Sequence, residues 1–317
     1  MILSASRRTD IPAFYSEWFM NRLKEGFVYV RNPMNANQIS SIPLSPKNVD
    51  CIVFWTKDAK NIMPYLNQID GMGYKYYFQF TITSYGKEIE TNVRTKNEII
   101  ETFKELSDKI GKEKVILRYD PIFVQDNGKY SINFHIEEFE KLINSLSQFT
   151  NKVIISFIDG YRKVAANMKD IKIKEISNND MSFIAKHFSD ITKKHKLQLE
   201  TCAEEIDLKE FGINHSQCID GNLIEKIIGY NIFNKNVRDD NRLYCGCMKC
   251  VDIGQYDSCI HNCLYCYANI NKKKALENYK KHNPNSPILF GDFNPETVKQ
   301  RTNGVESFKI NQSELNL

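Results

Sequence analysis

Three cysteines, Cys259, Cys263 and Cys266, stand in a C-x3-C-x2-C pattern, with Tyr265 directly before the last of them. Three thiolates on one short loop can hold three corners of a [4Fe-4S] cube. They leave the fourth iron without a protein ligand and therefore reactive, whereas a fourth cysteine would close the site into an electron carrier. Zinc is the competing occupant, but it favours paired C-x2-4-C ligands and a closed tetrahedron. The C-x2-C-x2-C-x3-C-P run of a bacterial ferredoxin is absent. A second group of thiols lies upstream: Cys202, Cys218, Cys245 and Cys247. They supply the four ligands that an auxiliary [4Fe-4S] cluster needs, and the same four would make a zinc site. Cys250 directly precedes a strand-like run and reads as a spare thiol. Cys51 begins another such run and reads as a small core residue.

Other residues could carry charge to a ligand. Arg7 and Arg8 open the run Arg7-Arg-Thr-Asp10, and a guanidinium there can pair bidentately with the carboxylate of a cofactor or with a substrate anion. The competing reading is a helix-cap network, with Asp10 capping and the arginines holding it. Arg118, Asp120 and Glu200 are similar; Arg118 and Asp120 are the candidates for catalysis, against a role as interior ion pairs. His261, inside the cysteine loop, reads as exposed. Lys272-Lys-Lys274 reads as a solvated helix face. The sequence shows no glycine-rich phosphate loop and no Ser-His-Asp order among its six histidines.

Composition narrows the setting. With 317 residues the chain can bury one large core. Its 42% hydrophobic and 26% charged content is ordinary for a globular protein. A net charge of +4 permits nucleic-acid binding without implying it. No run of 18 apolar residues predicts a membrane span. The nine cysteines are odd in number, and six of them crowd between residues 245 and 266. With no signal-like N-terminus, that pattern points to metal in a cytoplasmic protein rather than to disulfides.

The positioning elements alternate. Strands are expected at Ile2–Ser6, Cys51–Thr56, Tyr76–Thr83, Val115–Asp120, Val153–Asp159, Leu197–Cys202 and Val251–Tyr256, several of them apolar on both faces as covered parallel strands are. Helical patterns fall at Pro12–Lys24, Glu98–Ile110, Ile136–Leu146, Asp180–Lys194, Leu223–Tyr230 and Ala268–Lys281. Such alternation gives a parallel α/β sheet or a partial TIM-like (β/α) barrel, whose chemistry lies at the C-terminal ends of the strands. Arg7, Lys57 and the cysteine loop follow predicted strands, and Arg118, Asp120, Asp159 and Cys202 stand at the C-terminal ends of others. The expected organisation is one barrel over residues 1–283, with its cysteine-rich segment at 202–266, and a tail at 284–317 that Pro287-Ile-Leu-Phe290 could dock.

The loop from Asp252 to Asn269 resembles the cluster loop of radical S-adenosylmethionine (SAM) enzymes in its spacing and in the aromatic at 265. The segment Ser4-Ala-Ser-Arg-Arg-Thr-Asp-Ile-Pro-Ala-Phe-Tyr15 and the run Cys245-Gly-Cys247 resemble a family of uncharacterised bacterial proteins that carries a domain-of-unknown-function label and a radical-SAM-like C-terminal cysteine cluster. Val53–Lys57 and Gln79–Thr83 fit it too. The resemblance implies a [4Fe-4S] cluster on Cys259, Cys263 and Cys266, SAM on the open iron, and a 5'-deoxyadenosyl radical that acts on an unidentified substrate. Tyr265, Arg7 and Arg8 would serve the cofactor, and an external donor such as ferredoxin or flavodoxin would supply the electron. The cluster loop of such enzymes follows the first barrel strand, whereas here its strand comes last. Circular permutation explains this if the last strand closes beside the first. Two alternatives remain open: a cysteine–metal protein that binds nucleic acid or a protein partner without turnover, and a radical enzyme of nucleic-acid repair resembling spore photoproduct lyase.

Overall fold

A computed structural model describes the chain except for residues 126–127, 159–161, 234, 236–237, 239–243 and 311–317. Asp159, expected at a strand end, lies outside the described residues. Eight strands form one all-parallel sheet. They are β1 (Ile2–Ala5), β4 (Cys51–Thr56), β5 (Tyr76–Thr81), β6 (Val115–Ile122), β7 (Lys152–Phe157), β8 (Gln198–Thr201), β9 (Asn214–His215) and β10 (Val251–Asp252). Their order is β10-β1-β4-β5-β6-β7-β8-β9. The strand that leads into the cysteine loop therefore pairs with the first strand, Leu3 opposite Val251 and Ser4 opposite Asp252. Among the described residues no ladder joins β9 to β10, so hydrogen bonding leaves this barrel-like sheet open.

The period-two alternation of side chains divides the sheet into two faces. Leu3, Ile52, Phe54, Phe78, Phe80, Leu117, Val153 and Ile155 belong to the core that includes the helices. Those helices are α1 (Ile11–Phe14), α2 (Ser16–Glu25), α3 (Leu66–Gly71), α4 (Lys96–Ile110), α5 (Ile132–Leu146) and α7 (Asn178–Lys194), whereas α6 (Arg162–Asn167) joins a separate cluster through Val164. The alternate residues Ile2, Val53, Tyr77, Ile116 and Ile154 face the other way. They pack against Cys218, Ile219, Cys245, Cys247, Met248 and the apolar side of α8 (Gly221–Ile228). The cysteine-rich segment thus fills the concave side of the sheet. Local chemistry sets the helix starts. Thr95 and Glu98 form a reciprocal capping box on α4, Ser177 and Asp180 do so on α7, and Asp10 caps α1 with Pro12 in its first turn.

Several expectations shift. The helix expected over Pro12–Lys24 is two helices that break at Tyr15. The last strand is two residues long, because Ile253–Tyr256 leaves the sheet toward the cysteine loop. The helix expected at Ala268–Lys281 is α9 (Lys272–Tyr279), its start fixed by Asn271 accepting from the Lys274 amide. A hairpin of β2 (Phe27–Asn32) and β3 (Asn35–Pro43) interrupts the alternation. The strand β11 (Val298–Gln300) adds to β3 in parallel. Beside it the Tyr29 amide donates to the Pro287 carbonyl, and Ile288, Leu289 and Phe290 are buried. No helix among the described residues is long and apolar enough to cross a membrane.

Candidate active site

The C-terminal ends of β1 and β4–β8 surround a cavity of about 230 Å3, and the cysteine loop after β10 closes one side of it. Its wall includes Arg7, Trp55, Lys57, Arg118, Asp120, Tyr265 and seven thiols: Cys202, Cys218, Cys245, Cys247, Cys259, Cys263 and Cys266. The two thiol groups predicted from spacing therefore share one space. Arg8 does not line it; its guanidinium lies 5.5 Å from the Tyr256 ring and 4.0 Å from the Asp252 carboxylate.

Contacts with residues far away in sequence fix the cysteine loop. Asp252 on β10 accepts from Ser4 Oγ at 2.9 Å, Ser6 Oγ at 2.6 Å and the Arg7 amide at 2.8 Å. Gly254 lets the chain pass this point, since a Cβ there would stand 2.0 Å from Ser6 Oγ. The loop then turns at Asp257 and Asn262, both left-handed with φ near +57° and +56°. Asp and Asn tolerate that region better than other side chains. The Leu264 amide donates to Ile89 O and the Asn92 amide to His261 O, which ties the loop to the segment after β5.

Two buried carboxylates anchor this assembly. Asp10 accepts from the Ala13 amide (3.0 Å), Thr56 Oγ1 (2.8 Å), the Lys57 amide (2.8 Å) and His261 Nε2 (2.9 Å). It caps the helix as expected, but its other partners come from β4 and the cysteine loop, not from Arg7 or Arg8. His261 is not exposed, as its place in a polar loop suggests, but 4% accessible. Its bond to Asp10 sets the Nε2–H tautomer and leaves Nδ1 buried without a partner. Glu90, 1% accessible, accepts from Lys57 Nζ and Thr83 Oγ1 at 2.8 and 2.7 Å, and also from Lys96 and Tyr265. Burial pushes its carboxyl up, but the Lys57 and Lys96 charges outweigh that and hold it at about 2. Lys96 is itself held down by its burial and by the nearby Lys57 charge, despite Glu90. Tyr265 thus serves the loop through its hydroxyl and lines the cavity with its ring.

Burial, then the charges of Cys266 and Asp10, pushes the Cys259 thiol up. Burial also pushes Cys263 up, although Lys57 beside it pulls the other way. Buried thiols of this kind become ligands only when a cation replaces their protons. Three such thiols on one loop, all lining the cavity, are a donor set whose chemistry fits a cluster. Among the described residues no three ligating side chains already surround one point. Three residues that line the cavity each carry a polar atom that is itself buried and has no partner among the described residues: Trp55 Nε1, Thr9 Oγ1 and His261 Nδ1.

At the other end, Cys218 and Cys202 have sulfurs 3.2 Å apart. The influence of Cys247 draws Cys245 down to about 7, while the opposing effects of Cys202, Cys247 and burial leave Cys218 raised to about 11. Arg118 donates to Cys218 Sγ at 2.8 Å and pairs with Asp120, which accepts from Ser156. The Arg118 and Arg7 guanidiniums lie 5.3 and 5.7 Å from the Trp55 ring centre. Arg7 also donates to Cys250 Sγ at 3.0 Å. Cys250 does not line the cavity.

Trp55, Glu90 and the His261–Asp10 pair are the residues that sequence reasoning passed over. Trp55 is embedded in an apolar run. Glu90 and His261 acquire their meaning from partners that spacing does not reveal.

Fold and site together define an α/β protein with a thiol-walled cavity at the ends of a parallel sheet. The chain belongs to the family described as domain of unknown function DUF1848, whose profile matches residues 2–268. No curated protein matches it. A solved structure from Bacteroides thetaiotaomicron VPI-5482, provisionally described as an alpha-L-fucosidase, is similar at 12% identity and a TM-score of 0.26, covering 59% of this chain and 86% of that one. That likeness is too low to define a shared fold.

Proposed function

We propose that the chain is a circularly permuted radical SAM enzyme acting on a small substrate. The observation that carries the reading is the cavity itself. The three loop thiols, which follow a strand paired to β1, open onto the same space as the C-terminal ends of β1 and β4–β8. Cys259, Cys263 and Cys266 would hold a [4Fe-4S] cluster. When bound, that cluster supplies the electron for reductive cleavage of SAM to methionine and a 5'-deoxyadenosyl radical. The protein's part is to bind, orient and exclude water. Glu90 and Asp10 hold the loop against β4 and the segment after β5. Arg7, at the end of the neighbouring strand, offers a guanidinium to the cofactor's carboxylate. Arg118 and Asp120 neutralise each other beside Cys218, so they support the wall rather than act as a free acid and base.

The test is anaerobic reconstitution with iron and sulfide, then incubation with SAM and a strong one-electron reductant, with 5'-deoxyadenosine measured by chromatography. The expected result is an oxygen-sensitive cluster that is lost in Cys259→Ala, Cys263→Ala or Cys266→Ala, together with 5'-deoxyadenosine formed by wild type alone. Reconstituted protein that binds four irons yet releases no 5'-deoxyadenosine would overturn the reading.

A further inference from the structure

The stretch that follows the cysteine loop, Ile270 to Lys281, carries five lysines and one glutamate. Its net charge of +4 equals that of the whole chain, so the rest of the sequence is balanced. The stretch contains α9, which buries Ala275 and Asn278 and exposes its other side. On that side Leu276 is 46% accessible. Lys272 and Lys273 stand four and three residues before it and Lys280 four after it, the spacings at which side chains meet on a helix surface. The Lys280 amide donates to Leu276 O, so the backbone keeps its helical path that far. Ile270, just ahead of the cap residue Asn271, is 51% accessible. The stretch's one acid, Glu277, lies 4.0 Å from Lys273 Nζ. Exposed leucine and isoleucine with a rim of charge are the build of a protein-binding patch.

The patch is tied to the cysteine loop. Asn278 Nδ2 donates to Asp257 O at 2.8 Å, Asn269 Nδ2 to Cys259 O at 2.7 Å, and the Ile270 amide to the Asp257 carboxylate. The Tyr279 ring lies 5.8 Å from that of Tyr15, whose hydroxyl donates to Ser258 O at 2.6 Å. Lys272 Nζ donates to Thr91 Oγ1 at 2.9 Å, next to Asn92, which donates to Ile260 O and His261 O. No residue of α9 lines the cavity. A partner seated on α9 would therefore stand against the base of the loop and leave the cavity to the substrate.

We infer that this face, with Ile270 and Leu276 as its apolar contacts and Lys272, Lys273 and Lys280 as its charged ones, is where a small acidic one-electron carrier protein docks to reduce the cluster on the loop. The inference rests on the proposed function for the use made of the electron. One electron leaves the carrier and enters the cluster, and no bond forms or breaks. Electron-transfer encounters bury less than ~1,200 Å2 in all, so a short helix and its flanks suffice. Opposite charges speed such encounters and make them sensitive to salt.

The test is titration calorimetry of the reconstituted full chain with oxidised flavodoxin, beside stopped-flow reduction of its cluster by flavodoxin hydroquinone. Wild type is expected to bind flavodoxin, and less tightly as salt rises. Lys272→Glu/Lys273→Glu/Lys280→Glu is expected to bind roughly tenfold more weakly or worse at low salt and to be reduced correspondingly more slowly. It should keep the wild-type melting temperature and the wild-type rate of reduction by dithionite. Ile270→Ser/Leu276→Ser is expected to weaken binding with the salt dependence unchanged, and it decides the matter if the charge reversal misfolds. No binding of flavodoxin or of ferredoxin by wild type, binding that is indifferent to both variants, or lysine-dependent binding of a single-stranded oligonucleotide in place of either carrier would overturn the inference. Lysine-dependent reduction of the cluster without release of 5'-deoxyadenosine would refute the proposed function and leave the docking face standing. Release of 5'-deoxyadenosine with dithionite, beside flavodoxin binding indifferent to the lysines, would do the reverse.

Discussion

Replacing Glu90 by Gln removes the one carboxylate that Lys57, Lys96 and Tyr265 share. The group is 1% accessible and held at about 2, against 4.5 for an ordinary glutamate. At ~1.36 kcal/mol per pH unit, that difference corresponds to about 3 kcal/mol of stability at neutral pH. The same figure lies at the low end of what breaking a buried ion pair costs, because Lys57 is left as a buried, unmatched cation. A folded-state value below the unfolded one means that the stabilisation is complete above pH ~5 and fades as pH falls toward 2. The gap between wild type and Glu90→Gln should therefore shrink from about 3 kcal/mol at pH 7 to about 1 kcal/mol at pH 3. At ~2.1 cal/mol/K per residue, the neutral-pH loss lowers the melting temperature of this chain by roughly 5 °C. Urea denaturation of the metal-free chain at pH 7, 5, 4 and 3 measures the gap directly. Adding Lys57→Met should restore part of the loss, because it removes the stranded charge. A variant as stable as wild type at pH 7, or a gap that stays constant down to pH 3, would refute the assignment of Glu90 as the ionised anchor of the cysteine loop.

Asp10→Ala strips a helix cap and three further hydrogen bonds from a buried carboxylate. A loss of about 3 kcal/mol and faster release of iron from the reconstituted loop are expected, read by urea midpoints and chelator challenge. Gly254→Ala drives a methyl into Ser6 Oγ and should cost about 1–3 kcal/mol by overpacking. Ser6→Gly in the same chain should recover most of it, as thermal melts would show. His135 is wholly buried between the Tyr119 hydroxyl and the Phe123 carbonyl, and burial holds its imidazole down at about 4. It must take up a proton on unfolding, so wild-type stability should decline between pH 6.5 and 4 by about 3 kcal/mol on this group's account. His135→Gln should be less stable at pH 7 and flatter across that window, which paired urea titrations at pH 7 and 5 would resolve.

Much of the parallel sheet was legible, because β4, β5, β6 and β7 are short apolar runs that nothing but covered strands explains. The pairing of β10 with β1 was legible only indirectly, from a loop whose resemblance implies a strand before it and a barrel that closes on the first strand. The β2–β3 hairpin was not, since Phe27–Pro43 alternates weakly and carries a polar half from Asn35 to Gln38 that reads as loop. At the site, cysteine spacing located both thiol groups, and position at or just past the C-terminal end of a strand located Arg7, Lys57 and Arg118 on the cavity. Spacing could not show that Cys202 and Cys218 touch, nor that Asp10 reaches His261, 251 residues away. Those contacts depend on how far each loop folds back, which distant hydrogen bonds decide. His261 was misread because a histidine in the middle of a loop looks solvated until a carboxylate is found beneath it.

Ser4 and Asp252 bond across 248 residues of intervening chain. A ribosome adding ~5–20 residues per second makes β1 some tens of seconds before its neighbour β10. Throughout that interval the first strand presents an open edge of unpaired amides and carbonyls, which is the form of chain most prone to pairing with the wrong strand. The cysteine loop emerges later still, after β4–β9 are available to fold. Closure of the cavity by the loop is therefore a late event in folding, and a nascent chain halted before residue 251 would carry the cavity's arginines and Trp55 with no loop to close over them.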